Sequence, residues 1–257
     1  MTVVLEARGL GKTFGGLTAV NAVSFSVAAG DSFAIIGPNG AGKSTLLNLL
    51  SGLLPPSSGD VLVNGASVIG LRPNQIRARG IARTFQNGRL FKRLSVLDNV
   101  MSGAVPGEGA RLWQVLFGRQ RYEAWQSEVR DRARGALDVL GLAAHAERDA
   151  GDLPFGLQRN VEIARALAAD ADVLLLDEPA AGLNAAERSA LLATLGALKQ
   201  RGLAVVLIEH DMGLVMAWSE RIAVLNFGEK IAEGAPAAIR ADAKVIEAYL
   251  GTGSVDA

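Results

Sequence analysis

The feature that most constrains this chain is a glycine-rich loop between an apolar strand and a helix. The loop reads Gly-Pro-Asn-Gly-Ala-Gly-Lys-Ser-Thr over residues 37–45. It follows the apolar run Ser32–Ile36 and precedes a leucine-rich helical stretch that we expect to end at Pro55. This is the G-x-x-x-x-G-K-[ST] pattern in the strand–loop–helix context that it requires. Such a loop curls its backbone N–H groups around phosphate oxygens, and the helix N-terminus adds partial positive charge.

The loop predicts a phosphate site in which three side chains have separate roles. Lys43 reaches the β and γ phosphates, the Ser44 hydroxyl ligates Mg²⁺, and Thr45 faces the α phosphate. The full predicted set is Gly37, Pro38, Asn39, Gly40, Ala41, Gly42, Lys43, Ser44 and Thr45. The alternative is a glycine-rich turn with a solvated lysine, and a chance match is expected in roughly one chain in a hundred. The flanking strand and helix favour the phosphate site.

A pair of acids follows a second apolar run. Val173–Leu176 has the composition of a strand that is covered on both faces, and Asp177 and Glu178 come directly after it. Sites in α/β folds lie at the carboxyl ends of strands. Asp177 suits a direct or second-shell Mg²⁺ role, and Glu178 is placed to polarise an attacking water. Alone this pattern is weak, because many strands end in solvated acids, but beside a phosphate loop it predicts hydrolysis.

Composition excludes several other classes of site. The chain of 257 residues has no cysteine, so disulfides, thiolate zinc sites and a cysteine nucleophile are excluded. Its 26 Lys and Arg residues equal its 26 Asp and Glu residues, which gives no support to nucleic-acid binding. The first residues lack a signal-peptide pattern, and no stretch of about 18 continuous apolar residues occurs. We therefore expect no membrane-spanning helix; if the protein works at a membrane, another chain crosses it.

The order of apolar runs predicts an α/β fold. Val3–Val27 alternates apolar and polar residues as strands do, and Ser95–Ala168 is mostly helical in pattern. After Ala168, strands at 173–176, 203–208 and 222–226 alternate with helices at 185–201 and 213–218. Such alternation favours a mainly parallel sheet. We expect the tail Gly251–Ala257 to be mobile.

A further segment, Leu153–Arg159, reads Leu-Pro-Phe-Gly-Leu-Gln-Arg and runs into a helix. Here the chain resembles the ATP-binding subunits of ABC transporters, whose signature is L-S-G-G-Q. Four other segments resemble family elements. Lys12–Phe14 resembles the adenine-stacking loop, and Arg83–Gln86 resembles the Q-loop. Ala181–Asn184 resembles the D-loop, with Asn in place of the usual Asp, and Ile208–Asp211 resembles the switch-histidine loop. With the phosphate loop and the acids they follow the family's order over nearly the whole chain.

The resemblance implies a P-loop NTPase (RecA-like) core with a mainly parallel sheet, an N-terminal antiparallel β subdomain and an α-helical signature subdomain. It implies a single ABC ATPase domain over 1–257. Residues 1–92 and 171–235 would form the nucleotide-binding core with the β subdomain, and residues 93–170 the helical subdomain with the signature. Residues 236–257 would add C-terminal helices and the tail.

The resemblance also implies site residues for ATP and Mg²⁺. The catalytic set would be Glu178, His210, Gln86 and Lys43. Beyond the phosphate loop, nucleotide contacts would come from Phe14, Gln86, Leu153, Phe155, Gly156, Gln158, Asn184 and His210. The metal would be held by Ser44, Gln86 and Asp177. Each residue has an ordinary alternative: Phe14 as a core aromatic, Gln86 as a polar strand end, and His210 as a structural or exposed histidine.

Within the family, the chain resembles the ATPase of branched-chain amino-acid importers, a type of sequence that also serves importers of other amino acids or small amides. The segments that carry this are residues 83–103, 176–184, 207–216 and 231–251, together with the aromatic Phe155 in the signature. The resemblance implies two integral-membrane permeases, indirectly a periplasmic substrate-binding protein, and a place at the cytoplasmic face of the inner membrane. The alternatives are the ATPase of an exporter, such as that of lipopolysaccharide transport, and a non-transport ABC ATPase that acts on ribosomes or DNA.

The signature also bears on the second ATPase subunit, with which an ATP-sandwich dimer would form. Pro154 replaces the signature serine and has neither a hydroxyl nor a backbone N–H. Phe155 removes a glycine and Leu157 replaces a polar residue. We therefore expect pairing with a paralogue rather than with a second copy of this chain. Arg89, Lys92 and Arg93 form either the rim of a permease groove or a solvated charge cluster.

Overall fold

A computed structural model describes residues 2–84, 90–105 and 119–250. It contains two sheets. The first is antiparallel, with strands in the order β2-β1-β4-β5. Its strands are β1 (Val3–Phe14), β2 (Leu17–Ala28), β4 (Ser58–Val63) and β5 (Ala66–Ser67). The alternating opening of the chain therefore forms a hairpin, as its pattern predicts.

The second sheet has the order β10-β9-β3-β8-β7-β6. Its strands are β3 (Ser32–Ile36), β6 (Ile81–Arg83), β7 (Val173–Asp177), β8 (Ala204–Ile208), β9 (Arg221–Asn226) and β10 (Glu229–Gly234). All neighbours are parallel except β9 and β10, which pair antiparallel. The fold class predicted from the sequence, a mainly parallel core with an antiparallel β unit and a helical layer, is confirmed.

Helices surround these sheets. In chain order they are α1 (Lys43–Leu50), α2 (Pro73–Ala78), α3 (Val96–Ala104), α4 (Arg119–Val139), α5 (Phe155–Leu167), α6 (Ala185–Gln200), α7 (Met212–Trp218), α8 (Pro236–Ala241) and α9 (Ala243–Leu250). Within residues 2–84, 90–105 and 119–250, no helix is both long and apolar enough to cross a membrane.

The central strands are buried on both faces, and each face packs against a different layer. On β7, Val173 and Leu175 join the cluster shared with the antiparallel sheet and α1, whereas Leu174 and Leu176 join the cluster of the helical layer. This alternation is the two-residue period of a strand. Both clusters consist of buried apolar side chains, so the polar residues that follow β3, β7 and β8 lie at the edge of the sheet.

One boundary differs from the expectation. Helix α1 ends at Leu50 rather than at Pro55. Ser51 closes the helix with its N–H on the Leu47 carbonyl, and Gly52 then adopts φ 67°, which leaves the helical region. A side chain at position 52 would also clash with Ile76 of α2. The helix thus ends at the Ser51–Gly52 turn.

Candidate functional site

The predicted site residues meet at the carboxyl edge of the parallel sheet. Strand β8 lies between β3 and β7, and its Ile208 pairs with Ile35 on one side and with Asp177 on the other. The loops that leave β3, β7 and β8 are therefore adjacent. The sheet thus brings together the phosphate loop, the acidic pair and His210, as the sequence predicts for a parallel arrangement.

Glycines allow the loop after β3 to curl tightly against its neighbours. Gly37 and Gly42 have φ of 151° and 99°, values that other residues rarely adopt. A Cβ at Gly37 would clash with the Leu225 carbonyl, and one at Gly42 with the Ala19 carbonyl. The turn between β9 and β10 supports the loop, because the Gly228 N–H donates to the Ala41 carbonyl at 3.0 Å.

The start of α1 fits an anionic ligand. No side chain caps this helix, and its first turn carries no acidic residue. Its first backbone N–H groups therefore lack an internal acceptor of the usual kind, at the positive end of the helix dipole. Ser44 is exposed there and Thr45 is half-buried. This geometry is what a phosphate group requires.

Lys43 is folded into the same loop. Its ammonium donates to the carbonyls of Gly37 at 2.6 Å and Pro38 at 2.9 Å. Burial lowers the pKa of this ammonium, and the negative charge of Glu178 acts in the opposite direction. Phosphate oxygens at the start of α1 would be stronger acceptors for this group than the loop carbonyls.

Asp177 ends β7 in a nearly dry position, with 6% of its surface exposed. The Arg83 guanidinium donates to its Oδ2 at 3.0 Å and also bonds Asn48 and Ser51 of the first helical segment. Burial raises the pKa of the Asp177 carboxyl, while the Arg83 hydrogen bond and charge oppose that rise. Arg83 thereby ties β6, β7 and α1 together beneath the acidic pair.

Glu178 and His210 face each other across the edge. Glu178 has φ 46°, a strained value for a residue other than glycine, and its N–H is held by the Ile208 carbonyl at 2.9 Å. Its Oε1 lies 3.8 Å from the Nδ1 of His210, whose side chain is 62% exposed. The strain turns the Glu178 side chain toward the loop of His210, and the histidine is not buried structural packing.

The segment 153–158 forms a tight turn at the start of α5. Leu153 is buried in the helical layer, and the Gln158 side chain donates to the Leu153 carbonyl at 2.8 Å. Phe155 is 51% exposed, with the Arg159 guanidinium 5.7 Å from its ring centre. The Gly156 N–H donates to Glu187 Oε1 at 3.2 Å. Leu153 and Gln158 thus shape the turn, and Phe155 is the side chain it presents.

Comparison with known proteins shows the family of the chain. The chain matches the family described as ABC transporter over residues 20–181. It is 41% identical over 249 residues to the high-affinity branched-chain amino acid transport ATP-binding protein LivG of Escherichia coli (strain K12), with 96% of this chain and 98% of that one covered.

The chain belongs to the ABC transporter family. It is an ATPase subunit of that family. Over residues 229–255 it also matches a family described as branched-chain amino acid ATP-binding cassette transporter.

Solved ABC cassettes share the whole architecture. The ADP conformation of an ATP-binding cassette of an ABC transporter is 31% identical, with a TM-score of 0.84, covering 98% of this chain and 100% of that one. A dimeric cassette in a post-hydrolysis state bound to ADP and phosphate is 27% identical, with a TM-score of 0.72 and coverage of 90% and 98%.

The ABC chain presents Phe14 at the tip of the β1–β2 hairpin. The ring is 46% exposed, so the alternative that it is a core aromatic is wrong. Gly15 and Gly16 turn the chain just after it with positive φ, and the Lys12 ammonium lies 5.3 Å from the ring centre. An exposed, oriented ring of this kind is suited to stack on a base.

One important residue of this ABC site was missed by the motif interpretation. Glu209 is fully buried and accepts the Ala180 N–H at 2.7 Å and the His210 N–H at 3.1 Å. It therefore holds the loop after β7 against the loop after β8. A signal existed, since Glu209 directly follows an apolar strand as Asp177 does, but only the pairing of β7 with β8 shows what it binds.

Some predicted residues lie outside the described residues of the chain. Gln86, assigned to catalysis, nucleotide contact and metal binding, is one of them, and Arg89 is another. Asn184 is described and caps α6, where its side chain accepts the Glu187 N–H at 3.0 Å. In the part of the chain that the structure describes, no group of three or more His, Cys, Asp or Glu could hold a metal ion.

Proposed function

We propose that this chain hydrolyses ATP to energise an importer of branched-chain or chemically related amino acids. The observation that carries the substrate class is the match over residues 229–255, which lies outside the catalytic loops. The similarity to LivG over 96% of the chain supports the same class. Neither an exporter nor a ribosome- or DNA-acting ATPase has comparable support.

The chemistry follows from the edge of the parallel sheet. Backbone N–H groups at the start of α1 and the Lys43 ammonium would bind the β and γ phosphates and offset their charge. Ser44 and Asp177 would hold Mg²⁺, which neutralises charge on the phosphates when bound. Asp177 can do so because its carboxylate lies at the end of β7, and Arg83 keeps it oriented.

Glu178 would orient and polarise the attacking water. Its carboxylate accepts a hydrogen bond from water, so that the water oxygen approaches the γ phosphorus while the bond to the β-phosphate oxygen breaks. The products are ADP and inorganic phosphate. His210 is 3.8 Å from Glu178 and would contact the γ-phosphate oxygens from the neighbouring loop. The buried Glu209 keeps the two loops in this register.

The nucleotide would be enclosed between two ATPase subunits. Phe14 would stack on adenine, and the turn at Phe155 and Gly156 would face the phosphates bound by the second subunit. The dimeric ADP-and-phosphate cassette supports a dimer as the working unit. The second subunit is a paralogue or a second copy of this chain.

Two permease subunits would dock on a groove between the core and the helical layer. This groove of ≈ 480 Å³ is lined by Leu53, Ile76, Arg77, Phe91, Gly103 and Arg165, among others. Lys92 and Arg93 are exposed just beyond Phe91. The lining of the groove is partly apolar and partly basic, which suits the polar end of a helix that belongs to a membrane protein. The chain would then act at the cytoplasmic face of the inner membrane, with a periplasmic binding protein delivering the amino acid to the permeases.

The test is Glu178→Gln in the transporter assembled with its permeases and binding protein. We expect ATP binding to persist and both hydrolysis and uptake of labelled leucine to be nearly abolished, because the water loses its polarising carboxylate. Glu128→Gln changes an exposed carboxylate on α4 in the same way and should leave both rates unchanged. Lys43→Ala should lose nucleotide binding itself.

Two results would count against the proposal. Hydrolysis by Glu178→Gln at the parent rate would refute the catalytic assignment. Vesicles that hydrolyse ATP through Glu178 but take up no branched-chain or related amino acid would refute the substrate class alone.

A further inference from the structure

The first turn of α5 has no cap from its own sequence. Pro154 occupies the N-cap position with φ −52° and makes no side-chain hydrogen bond. Helices ordinarily begin with Ser, Thr, Asp or Asn there, whose side chains bind the free N–H groups of the first turn. In this chain the acceptor comes from another helix, because the Gly156 N–H donates to Glu187 Oε1 across 31 residues of sequence.

The other oxygen of the same carboxylate caps a second helix. Glu187 Oε2 accepts the Asn184 N–H at 3.0 Å, and the Asn184 side chain accepts the Glu187 N–H in return. One negative charge therefore lies at the N-termini of both α5 and α6, where two helix dipoles favour it. Removal of this charge affects both helix starts at once.

The two segments are in close contact around this carboxylate. A Cβ at Gly156 would lie 3.0 Å from Glu187 Cγ, and one at Gly182 would lie 3.3 Å from the Phe155 ring. Glycine at both positions therefore permits the approach. We call the turn Leu153–Gly156 together with the loop Glu178–Asn184 the signature clasp.

One end of the signature clasp is Glu178, the proposed catalytic carboxylate. Between Glu178 and Asn184 the loop is held by short-range bonds from Ala181 N–H to the Glu178 carbonyl and from Leu183 N–H to the Ala180 carbonyl, each at 3.1 Å. The loop is thus compact from Glu178 to Asn184, whose N–H is bound by the same Glu187 carboxylate that holds Gly156.

We propose that Glu187 is a positioning residue that couples this chain's own ATP site to the signature turn it presents to the second subunit. The inference rests on the proposed ATP-sandwich function. Binding of ATP at Lys43 would shift the loop of Glu178, and Glu187 would transmit that shift to Phe155 and Gly156. Each subunit would thus report its nucleotide state to the site of its partner.

Hydrogen exchange of the full chain tests this without requiring a dimer. In a Glu178→Gln background, Mg-ATP should protect amides 43–47 and change the exchange of amides 155–158 at least twofold. Glu187→Ala should retain protection at 43–47 but lose most of the response at 155–158. Glu187→Gln keeps the side-chain volume with one acceptor oxygen and should show an intermediate response, and Glu128→Gln should match the parent.

The possible outcomes separate the two proposals. An equal response at 155–158 in Glu187→Ala, or no response there in the parent, would overturn the coupling and leave the ATP site intact. No protection at 43–47 in the parent would overturn the nucleotide site and the coupling with it. If Glu187→Ala fails to fold, Glu187→Gln carries the same comparison.

The assembled transporter supplies a second readout. If Glu187 couples the sites, Glu187→Gln should reduce the Hill coefficient for ATP toward one and raise KM more than it lowers kcat. A cap with a structural role alone would lower the thermal midpoint and kcat while the Hill coefficient stayed at the parent value. That result would also overturn the inference.

Discussion

Phe14 is a residue whose exposure has a cost that packing does not offset. Phe14 is 46% exposed and so forgoes part of the energy that full burial of its side chain would give, about 1.5–3 kcal/mol. The hairpin nevertheless holds it at the tip of β1, followed by two glycines with positive φ. A ligand that covers the ring would recover this energy, which is why we assign the ring to the adenine.

The first prediction concerns this ring. Phe14→Ala should weaken ATP binding by about 1–3 kcal/mol, the range of base–aromatic stacking. A ring face reads no base edges, so GTP should also bind to some degree. Calorimetric titration measures both, with Phe91→Ala as a control that removes an exposed ring from the permease groove. Unchanged affinity in Phe14→Ala would refute the stacking role.

The strained backbone of Glu178 is held in place by its neighbours, among them the buried Glu209. Glu178 adopts a left-handed backbone, which costs on the order of 1–3 kcal/mol and persists only where neighbours enforce it. The Ile208 carbonyl and the Glu209 carboxylate enforce it here, since they bind the N–H groups of Glu178 and Ala180. The strain lowers the stability of the fold, and it orients the Glu178 carboxylate at the carboxyl edge of the sheet, beside the phosphate loop.

Among the elements, α5 combines a buried ion pair with an unusual start. Arg159 and Glu162 lie one turn apart and bond at 2.7 Å with 5% exposure each. This pair lies within the helix, just below the first turn in which Pro154 and Phe155 depart from the signature pattern. The Gly156 N–H remains as a donor, but within the chain it is already bonded to Glu187.

This arrangement supports a prediction about pairing. Pro154→Ser with Phe155→Gly should strengthen ATP-driven self-association in a Glu178→Gln background by about 1.5–3 kcal/mol, the worth of one charge-assisted hydrogen bond. Light scattering against ATP concentration measures the change. Without these two substitutions, the Glu178→Gln chain should be mostly monomeric in the presence of ATP. That result would favour a paralogue as its partner.

A single contrary observation would refute this preference. If the unrepaired Glu178→Gln chain already forms a tight ATP dimer, the signature departures do not weaken the contact. Glu128→Gln in the same background controls for the loss of a surface charge.

For the whole molecule, the groove beside Phe91 is the surface on which we proposed that the permeases dock. We predict that the chain sediments with membranes only when its permeases are co-expressed. Phe91→Glu puts a charge into the groove lining and should reduce that fraction, whereas Glu128→Gln should not. Sedimentation that is independent of the permeases would contradict the assignment of the groove.

The sequence by itself predicted a phosphate site and a mainly parallel sheet, and the structure confirms the sheet. A strand, a glycine loop with Lys43 and a helix are contiguous, so local chemistry is enough to predict a phosphate site. The apolar runs at 173–176 and 203–208 predict strands from the apolar residues themselves. The end of α1 was predicted at Pro55 and lies at Leu50, although Gly52, which takes a positive φ just beyond the helix, is a local signal for that end.

Only the tertiary structure decided which distant residues support that site. Arg83 and Asp177 are separated by 94 residues, Ala180 and Glu209 by 29, and Gly156 and Glu187 by 31. No local pattern relates such pairs. They meet because parallel strands deliver their loops to one edge and because two helices begin beside each other there. Phe14 also depends on tertiary structure. A phenylalanine is by type suited to a core, but its place at the tip of the hairpin leaves it exposed.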